Sequence, residues 1–251
     1  MGYFIGAGPG AVDLITVRGK NILEKADIVI YAGSLVNPML LEYTKKDCEI
    51  HNSASMTLEQ VIDVMEKGEA ENKLIVRLHT GDPSIYGAIR EQMDILVEKG
   101  IEFTVVPGVS SFSGAAAALK AEYTLPNVSQ TVILTRMEGR TPVPEKEEIS
   151  KLASHQASMA LFLSSGMLEE LSRRLVKGGY SEDTPAAIVY KATWPDEKVI
   201  RTTIKNLSED AKKNDISKTA LILVGGFLGN NYERSKLYDP SFTHEFREAE
   251  K

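Results

Sequence analysis

The sequence has 251 residues, of which 43% are hydrophobic and 25% charged, with a net charge of −6. This composition is typical of a globular protein and excludes a fibrous or disordered chain, while the acidic balance disfavours a nucleic-acid partner, since such binders usually carry a basic surface. No apolar run approaches the roughly 20 residues that span a bilayer, so we expect no membrane partner. Without a secretory signal, and with Cys48 as its single cysteine, the protein is expected in the cytoplasm.

The first half of the chain predicts repeated strand–helix units. Apolar runs indicate strands, and apolar residues three or four apart indicate helices. The predicted strands are 3–5, 27–33, 73–79 and 102–106, and the predicted helices are 17–25, 58–67, 88–99 and 113–120. Strands that alternate with helices favour a mostly parallel sheet covered on both faces.

The second half is richer in strands and alternates less regularly. Its predicted strands are 131–137, 158–165, 185–193, 198–204 and 219–226, with an amphipathic helix over 167–179. We therefore predict two α/β domains, 1–120 and 121–251, the second built on a mixed sheet. The stretch from Gly229 onward is polar, aromatic and charged, and we expect a tail that packs over the surface or onto a partner.

Three loops of small residues each follow a predicted strand. Their sequences are GAGPG (6–10), HTGDPSIYG (79–87) and VPGVSSFSG (106–114). In a parallel sheet, the loops after the carboxyl ends of the strands line the ligand crevice. Glycine brings backbone N–H and C=O groups close to a ligand with little side-chain bulk. This pattern suits a medium-sized polar organic cofactor.

The first loop also matches the dinucleotide fingerprint G-x-G-x-x-G/A through Gly6, Gly8 and Ala11. That motif requires a helix directly after the loop and an acidic residue at the end of the second strand. Here AVDLIT delays the helix, and Asp27 stands at the wrong end of its strand. An NAD-binding oxidoreductase is therefore the less favoured alternative. A loop that only joins a strand to a helix is a second alternative, but it does not account for three such loops.

The histidines give no sign of a metal site. His51, His79, His155 and His244 are scattered, and no C-x-x-C or H-E-x-x-H spacing occurs. We predict no protein-bound metal and assign the histidines structural or surface roles. No G-x-S-x-G motif supports acyl-transfer chemistry either.

Taken in order, GAGPG, TGDPSIYG, VPGVSS, PAAIVYKATWPDEK and TALILVGGF resemble the motifs of the tetrapyrrole (corrin and porphyrin) methyltransferases, which use S-adenosylmethionine. DIVIYAGSLV, LTRMEGRTPVPEKE and the tail NNYERSKLYDPSFTHEFR resemble one branch, whose members methylate C11 of a corrin precursor with or without cobalt. The resemblance implies two α/β domains with the cofactor in the cleft between them, and a homodimer. Another methylase of the family and a non-catalytic tetrapyrrole carrier stay open as alternatives.

The resemblance also implies the cofactor contacts. They fall at Gly8, Pro9, Gly10, Thr80, Gly81, Asp82, Ile85, Ser110, Ser111, Leu163, Ala187 and Ala192. Asp82 has two interpretations of equal weight: it accepts a hydrogen bond from the cofactor, or it forms an Asx turn before Pro83. Tyr86 either walls the pocket or belongs to the core.

A tetrapyrrole substrate carries several carboxylates, which arginine recognises with its forked guanidinium. Arg136 and Arg140 are the first candidates because they stand in a Gly- and Pro-rich loop, and Lys191 is a weaker one. Arg18 is more consistent with a solvated surface charge. No general acid or base is predicted, because a sulfonium methyl group already reacts with an electron-rich carbon once the two are held in line.

Overall fold

The computed structural model describes residues 1–249. These residues pack into two units: Met1–Ala115 together with Lys191–Glu197, and Ala116–Tyr190 together with the described residues from Lys198 onward. Within residues 1–249, no helix has the length and apolar character needed to cross a membrane. The predicted boundary between two α/β domains, 1–120 and 121–251, stays a prediction.

The first unit contains a five-stranded sheet in which all strands are parallel, in the order β3-β2-β4-β1-β5. The strands are β1 (Gly2–Gly6), β2 (Ile28–Tyr31), β3 (Glu49–Asn52), β4 (Ile75–His79) and β5 (Phe103–Val106). β1 lies between β4 and β5, with Gly6 opposite His79 and Ile5 opposite Val106. The loops that follow these three strands therefore leave the sheet side by side.

Helices cover both faces of this sheet, as the alternation of elements predicts. They are α1 (Val17–Leu23), α2 (Leu58–Ala70), α3 (Arg90–Glu98) and α4 (Ser111–Leu119). Ile5 packs in one core cluster with Leu23 of α1. The preceding residue, Phe4, packs in a second core cluster with Met65 of α2 and Leu96 of α3. Consecutive strand residues point to opposite faces, so each face has its own buried core.

The second unit contains a mixed sheet in the order β6-β7-β10-β8-β9, in which only β6 and β7 are parallel. Its strands are β6 (Val132–Arg136), β7 (Ser158–Phe162), β8 (Pro185–Tyr190), β9 (Lys198–Thr203) and β10 (Ala220–Val224). Its helices are α5 (Ile149–Ala153), α6 (Leu168–Lys177) and α7 (Leu207–Lys213). Both the parallel first sheet and the mixed second sheet are thereby confirmed.

Most side chains of the tail are exposed, although one of the two predicted arrangements would pack them over the chain's own surface. Tyr238 is 81% and Phe246 is 87% exposed, and most residues from 230 to 249 are exposed. Packing of these side chains over the chain's own surface is therefore wrong. Packing onto a partner stays a prediction.

Candidate functional site

The three glycine loops meet at one edge of the first sheet. The Gly8 N–H donates to the Gly81 carbonyl over 3.2 Å, and the Gly81 N–H donates to the Gly8 carbonyl over 2.8 Å. The Ala7 N–H donates to the His79 carbonyl over 2.7 Å. The loops after β1 and β4 are thus joined by a short backbone ladder that continues beyond the sheet.

Several glycines in these loops are required by the packing of one loop against another. A Cβ on Gly108 would lie 2.2 Å from the Gly81 carbonyl oxygen, and a Cβ on Gly6 would lie 2.5 Å from the Gly108 Cα. Gly8 has a φ of +81°, in the region that side chains disfavour. Loop packing therefore explains these glycines before any ligand is considered, and their close approach to a cofactor stays a prediction.

Asp82 joins the loops after β4 and β5. Its Oδ2 accepts from the Gly108 N–H over 2.8 Å, and its Oδ1 accepts from the Ser84 N–H over 2.9 Å. Burial pushes the pKa of this carboxyl upward, but the hydrogen bonds from Ser84 and Gly108 favour the charged form, and the pKa is lowered from its ordinary value. The Asx-turn interpretation of Asp82 is therefore confirmed, with both oxygens bonded to the protein.

The predicted cofactor residues from 8 to 111 are gathered by these contacts. A Cβ on Gly81 would lie 3.4 Å from the backbone nitrogen of Ser111, the first residue of α4. Ser110 is 7% exposed. Residues brought to this edge are Gly8, Pro9, Gly10, Thr80, Gly81, Asp82, Ser110 and Ser111, with Ile85 in the turn that Asp82 starts. Tyr86 is 47% exposed, so its assignment to the core is wrong.

The chain segment 191–197 holds the first glycine loop, which the sequence did not reveal. The Trp194 Nε1–H donates to the Pro9 carbonyl over 3.0 Å, and Thr193 Oγ1 accepts from the Ala11 N–H over 3.0 Å. The Asn37 side chain donates to the Gly10 carbonyl over 2.8 Å. The one available signal is that Trp194 is the only tryptophan in the chain and stands in a stretch that resembles a family motif.

The remaining predicted cofactor positions differ in their surroundings. Ala192 is 6% exposed and belongs to the first unit. Ala187 is fully buried inside β8, and Leu163 is 66% exposed with a left-handed φ of 52°; both belong to the second unit. The burial of Ala187 offers a ligand no surface in this structure, so its contact with the cofactor stays an unsupported prediction.

The predicted substrate-binding cations are engaged to different degrees. The Arg136 guanidinium donates to the carbonyls of Met137, Thr141 and Pro142, so it holds its own loop together. Lys191 pairs with Asp196 over 2.6 Å and lies over the Trp194 ring. Arg140 is exposed. Of the three, Arg140 is the cation best placed to meet a ligand from solution.

Two polar side chains on β4, Arg77 and His79, are buried, and of these the sequence analysis did not single out Arg77. Arg77 is 4% exposed; its Nε donates to Gln92 Oε1 over 2.9 Å and its Nη1 donates to the Ile30 carbonyl over 2.8 Å. Burial lowers its pKa to about 10. Burial, and to a smaller extent the charge of Arg77, lowers the pKa of His79 to about 3, so this ring is neutral near pH 7.

Gln92 extends the Arg77 contacts to the second glycine loop. Its amide donates to the Ala88 carbonyl over 2.8 Å, where the backbone takes a left-handed φ of 48°. The end of the HTGDPSIYG loop is thereby tied to the interior of the sheet. His79 is buried, and the structural role that the sequence analysis favoured for it stays a prediction.

The structure does not supply the features of a dinucleotide site. Asp27, at the amino end of β2, pairs with Lys45 and accepts from the Leu74 N–H. α1 begins only at Val17, after a single 3₁₀ turn over Val12–Leu14. Within residues 1–249, no three histidine, cysteine or acidic side chains gather in a group able to hold a metal.

Comparison with known proteins agrees with this architecture. The model of one family, the Tetrapyrrole (Corrin/Porphyrin) Methylases, matches residues 2–208. A cobalt-precorrin-4 C(11)-methyltransferase from Methanocaldococcus jannaschii is 57% identical over 98% of this chain and 96% of its own. A precorrin-4 C(11)-methyltransferase from a Sinorhizobium species is 41% identical, over 98% and 97%. An X-ray structure of a cobalt precorrin-4 methyltransferase superposes with a TM-score of 0.89 and 50% identity, over 91% and 96%.

Proposed function

The chain belongs to the tetrapyrrole (corrin/porphyrin) methylases, and on this premise we propose that it transfers a methyl group from S-adenosylmethionine to C11 of cobalt-precorrin-4. The observation that carries the proposal is full-length similarity to enzymes named for this reaction, with 57% identity to a relative named for cobalt-precorrin-4 and 41% to a relative named for precorrin-4. The higher identity favours a substrate that already contains cobalt. The macrocycle holds that metal, so the chain needs no ligands for it.

The meeting point of the three loops would hold the cofactor. It combines backbone groups of small residues, Gly8 to Gly10 and Gly81, with the side chains of Thr80, Ser110 and Ser111. Ser110 and Ser111 stand at the start of α4, where N–H groups without helical partners favour the carboxylate of the cofactor's amino acid part. These hydrogen-bonding groups fit a medium-sized polar organic molecule such as S-adenosylmethionine.

Bound S-adenosylmethionine would supply a methyl group on a positively charged sulfur, which becomes a neutral thioether when the ring carbon takes the methyl. The chain's own contribution is positional. The Asp82–Gly108 contact and the Gly8–Gly81 ladder fix the loops relative to one another. Such positioning supplies up to about 7–11 kcal/mol in well-oriented systems. We assign Asp82 no role as a base, because the sulfonium methyl group is already electrophilic, and its hydrogen bonds serve to position the loops.

The carboxylates of the substrate require cations, and we assign Arg140 the leading role. Arg140 is exposed, whereas the Arg136 guanidinium donates hydrogen bonds to three carbonyls of the same loop. Arg136 would then shape the loop that presents Arg140, and Lys191 would contribute through its charge. We also propose that the enzyme works in the cytoplasm as a homodimer.

Methyl transfer with labelled donor tests the proposal. The protein is incubated with S-adenosylmethionine that carries a ¹³C methyl group and, separately, with cobalt-precorrin-4 and precorrin-4. We expect one labelled methyl at C11, formed faster on the cobalt substrate. A label on another ring carbon would assign a sister methylase. Pigment binding without donor binding would indicate a carrier, and a fluorescence change with reduced nicotinamide in place of methyl transfer would support the oxidoreductase alternative.

A further inference from the structure

We propose that Trp194 and Thr193 are positioning residues that hold the Gly8–Gly10 loop in its donor-binding conformation. The inference rests on the proposed function, because it concerns the same loop. It assigns these two side chains a role in positioning the loop, which is distinct from the donor contacts proposed above. Both lie in the segment 191–197, which packs with the first unit.

The contact of Trp194 with the loop is specific in both hydrogen bonding and shape. Its indole N–H donates to the Pro9 carbonyl over 3.0 Å, and an indole offers only this one donor. A Cβ on Gly10 would lie 2.1 Å from Trp194 Cδ1. The ring edge therefore fills the space of a side chain at position 10. Gly10 and Trp194 form a matched pair.

Thr193 makes the second attachment from the same segment. Its Oγ1 accepts from the Ala11 N–H, and its own N–H donates to Glu197 Oε2 over 2.6 Å. Its φ is 69°, which is rare for a β-branched residue and is kept only when surrounding contacts impose it. The backbone hydrogen bond from Trp194 N–H to the Lys191 carbonyl, 3.0 Å long, helps to impose it.

Three successive residues of the loop are thus held by side chains. Trp194 binds the Pro9 carbonyl, Asn37 binds the Gly10 carbonyl, and Thr193 binds the Ala11 N–H. A loop fixed in this way does not lose freedom when the donor binds. Without one attachment it samples other conformations, and the apparent affinity falls with the fraction that stays competent.

The test compares donor affinity in wild type, Trp194→Phe and Thr193→Val by titration calorimetry. Trp194→Phe keeps an aromatic ring and removes the indole N–H that donates the hydrogen bond. Thr193→Val keeps the branched shape and removes the hydroxyl oxygen that accepts one. Tyr180→Phe is the matched control, because Tyr180 also donates from an aromatic side chain to a buried carbonyl, that of Ala157, in the other unit. Since Trp194 is the only tryptophan, wild-type fluorescence reports directly on this loop.

We expect the dissociation constant for S-adenosylmethionine to rise about fivefold in each variant, which corresponds to about 1 kcal/mol. The KM for the donor should rise equally, with kcat at saturating donor within about twofold of wild type. Tyr180→Phe should bind the donor as wild type does. Should Trp194→Phe fail to fold, Thr193→Val decides alone.

The outcomes that would contradict the proposed function differ from those that would contradict only the positioning role of Trp194 and Thr193. A wild-type protein that does not bind the donor overturns the proposed function, and this inference with it. A wild type that binds, with Trp194→Phe and Thr193→Val both within twofold of it, overturns the inference alone. An equal loss in Tyr180→Phe also overturns it, because the effect would then be general destabilisation.

Discussion

The carboxylate of Asp82 accepts a hydrogen bond from the Gly108 N–H over 2.8 Å and thereby joins two loops that are 26 residues apart in the chain. The same side chain accepts from the Ser84 N–H. One acidic residue therefore organises the turn that contains Ile85 and connects it to the loop before α4. The contact of Asp82 with the cofactor itself stays a prediction.

Replacing Asp82 with asparagine should destabilise the protein. An amide has one oxygen, so either the Gly108 N–H or the Ser84 N–H loses its acceptor. The expected cost is about 1–2 kcal/mol of the free energy of unfolding, measured by urea denaturation at pH 7. Asp63→Asn on the exposed side of α2 is the control, with an expected change below about 0.5 kcal/mol.

The pH dependence of this difference follows from the lowered pKa of Asp82. A carboxyl with a depressed folded pKa stabilises the protein above its unfolded pKa of 3.8 and loses that effect as the pH falls through the folded value. The difference in the free energy of unfolding between wild type and Asp82→Asn should narrow below pH 4. A gap that stayed constant down to pH 3 would contradict the assigned hydrogen bonds.

Gly108→Ala should separate the loops. The added Cβ would lie 2.2 Å from the Gly81 carbonyl oxygen and 2.7 Å from the Gly6 Cα. Because these neighbours are backbone atoms, relief requires a loop to move, at a cost of about 1–3 kcal/mol, with a loss of donor affinity. Gly139→Ala is the control, since its nearest contact would be the Met167 side chain at 3.7 Å. Equal donor affinity in both variants, by calorimetry, would argue against the loop junction.

Arg77→Met should lower stability through its unpaired partners. It leaves Gln92 Oε1 without the Arg77 donor in a buried site and removes the guanidinium's hydrogen bond to the Ile30 carbonyl, with an expected cost of about 2–4 kcal/mol of the free energy of unfolding. Arg90→Met removes an arginine whose side chain is 83% exposed and pairs with Asp94 within a helix. That control should cost no more than about 0.5 kcal/mol. Similar unfolding midpoints for the two variants in urea would contradict a structural role for Arg77.

The lowered pKa of His79 predicts that the free energy of unfolding falls in mild acid. Its folded pKa of about 3 lies below the ordinary 6.5, so the unfolded chain takes up a proton that the folded ring refuses. Stability is therefore lost as the pH falls from 6.5 toward 3, by about 2–3 kcal/mol at pH 4.5. His79→Phe, which keeps a ring against Phe4, should lack this component. Parallel curves of unfolding free energy against pH would show that His79 titrates normally.

Arg140→Ala tests substrate recognition separately from donor binding. Loss of an exposed cation should raise the KM for the tetrapyrrole by about tenfold, as expected for one charge-assisted contact, and leave donor affinity unchanged. Arg136→Ala should instead lower the melting temperature, because its guanidinium bonds to Met137, Thr141 and Pro142. If only Arg136→Ala raised the KM at an unchanged melting temperature, the two roles would be reversed.

The sequence predicted the elements with strong apolar patterns and missed those without them. β3 has only four residues, three of them exposed, and α5 has five. α7 is dominated by polar residues, and none of the three carries a clear period. The common edge of the glycine loops was predictable because parallel strands align their carboxyl ends.

Contacts between distant residues were not predictable in the same way. Trp194 and Pro9 are 185 residues apart, and no local pattern relates them. Likewise, the sequence showed that Gly6 and Gly108 favour a close approach, but not that the approaching group is another loop.

A crystal structure with bound S-adenosylhomocysteine tests the central claim most directly. We predict that the ligand lies against the backbone of Gly8–Gly10, the Thr80–Asp82 loop and the start of α4 at Ser110 and Ser111, with the Trp194–Pro9 hydrogen bond intact. A ligand seated elsewhere, or these loops displaced to admit it, would contradict the account.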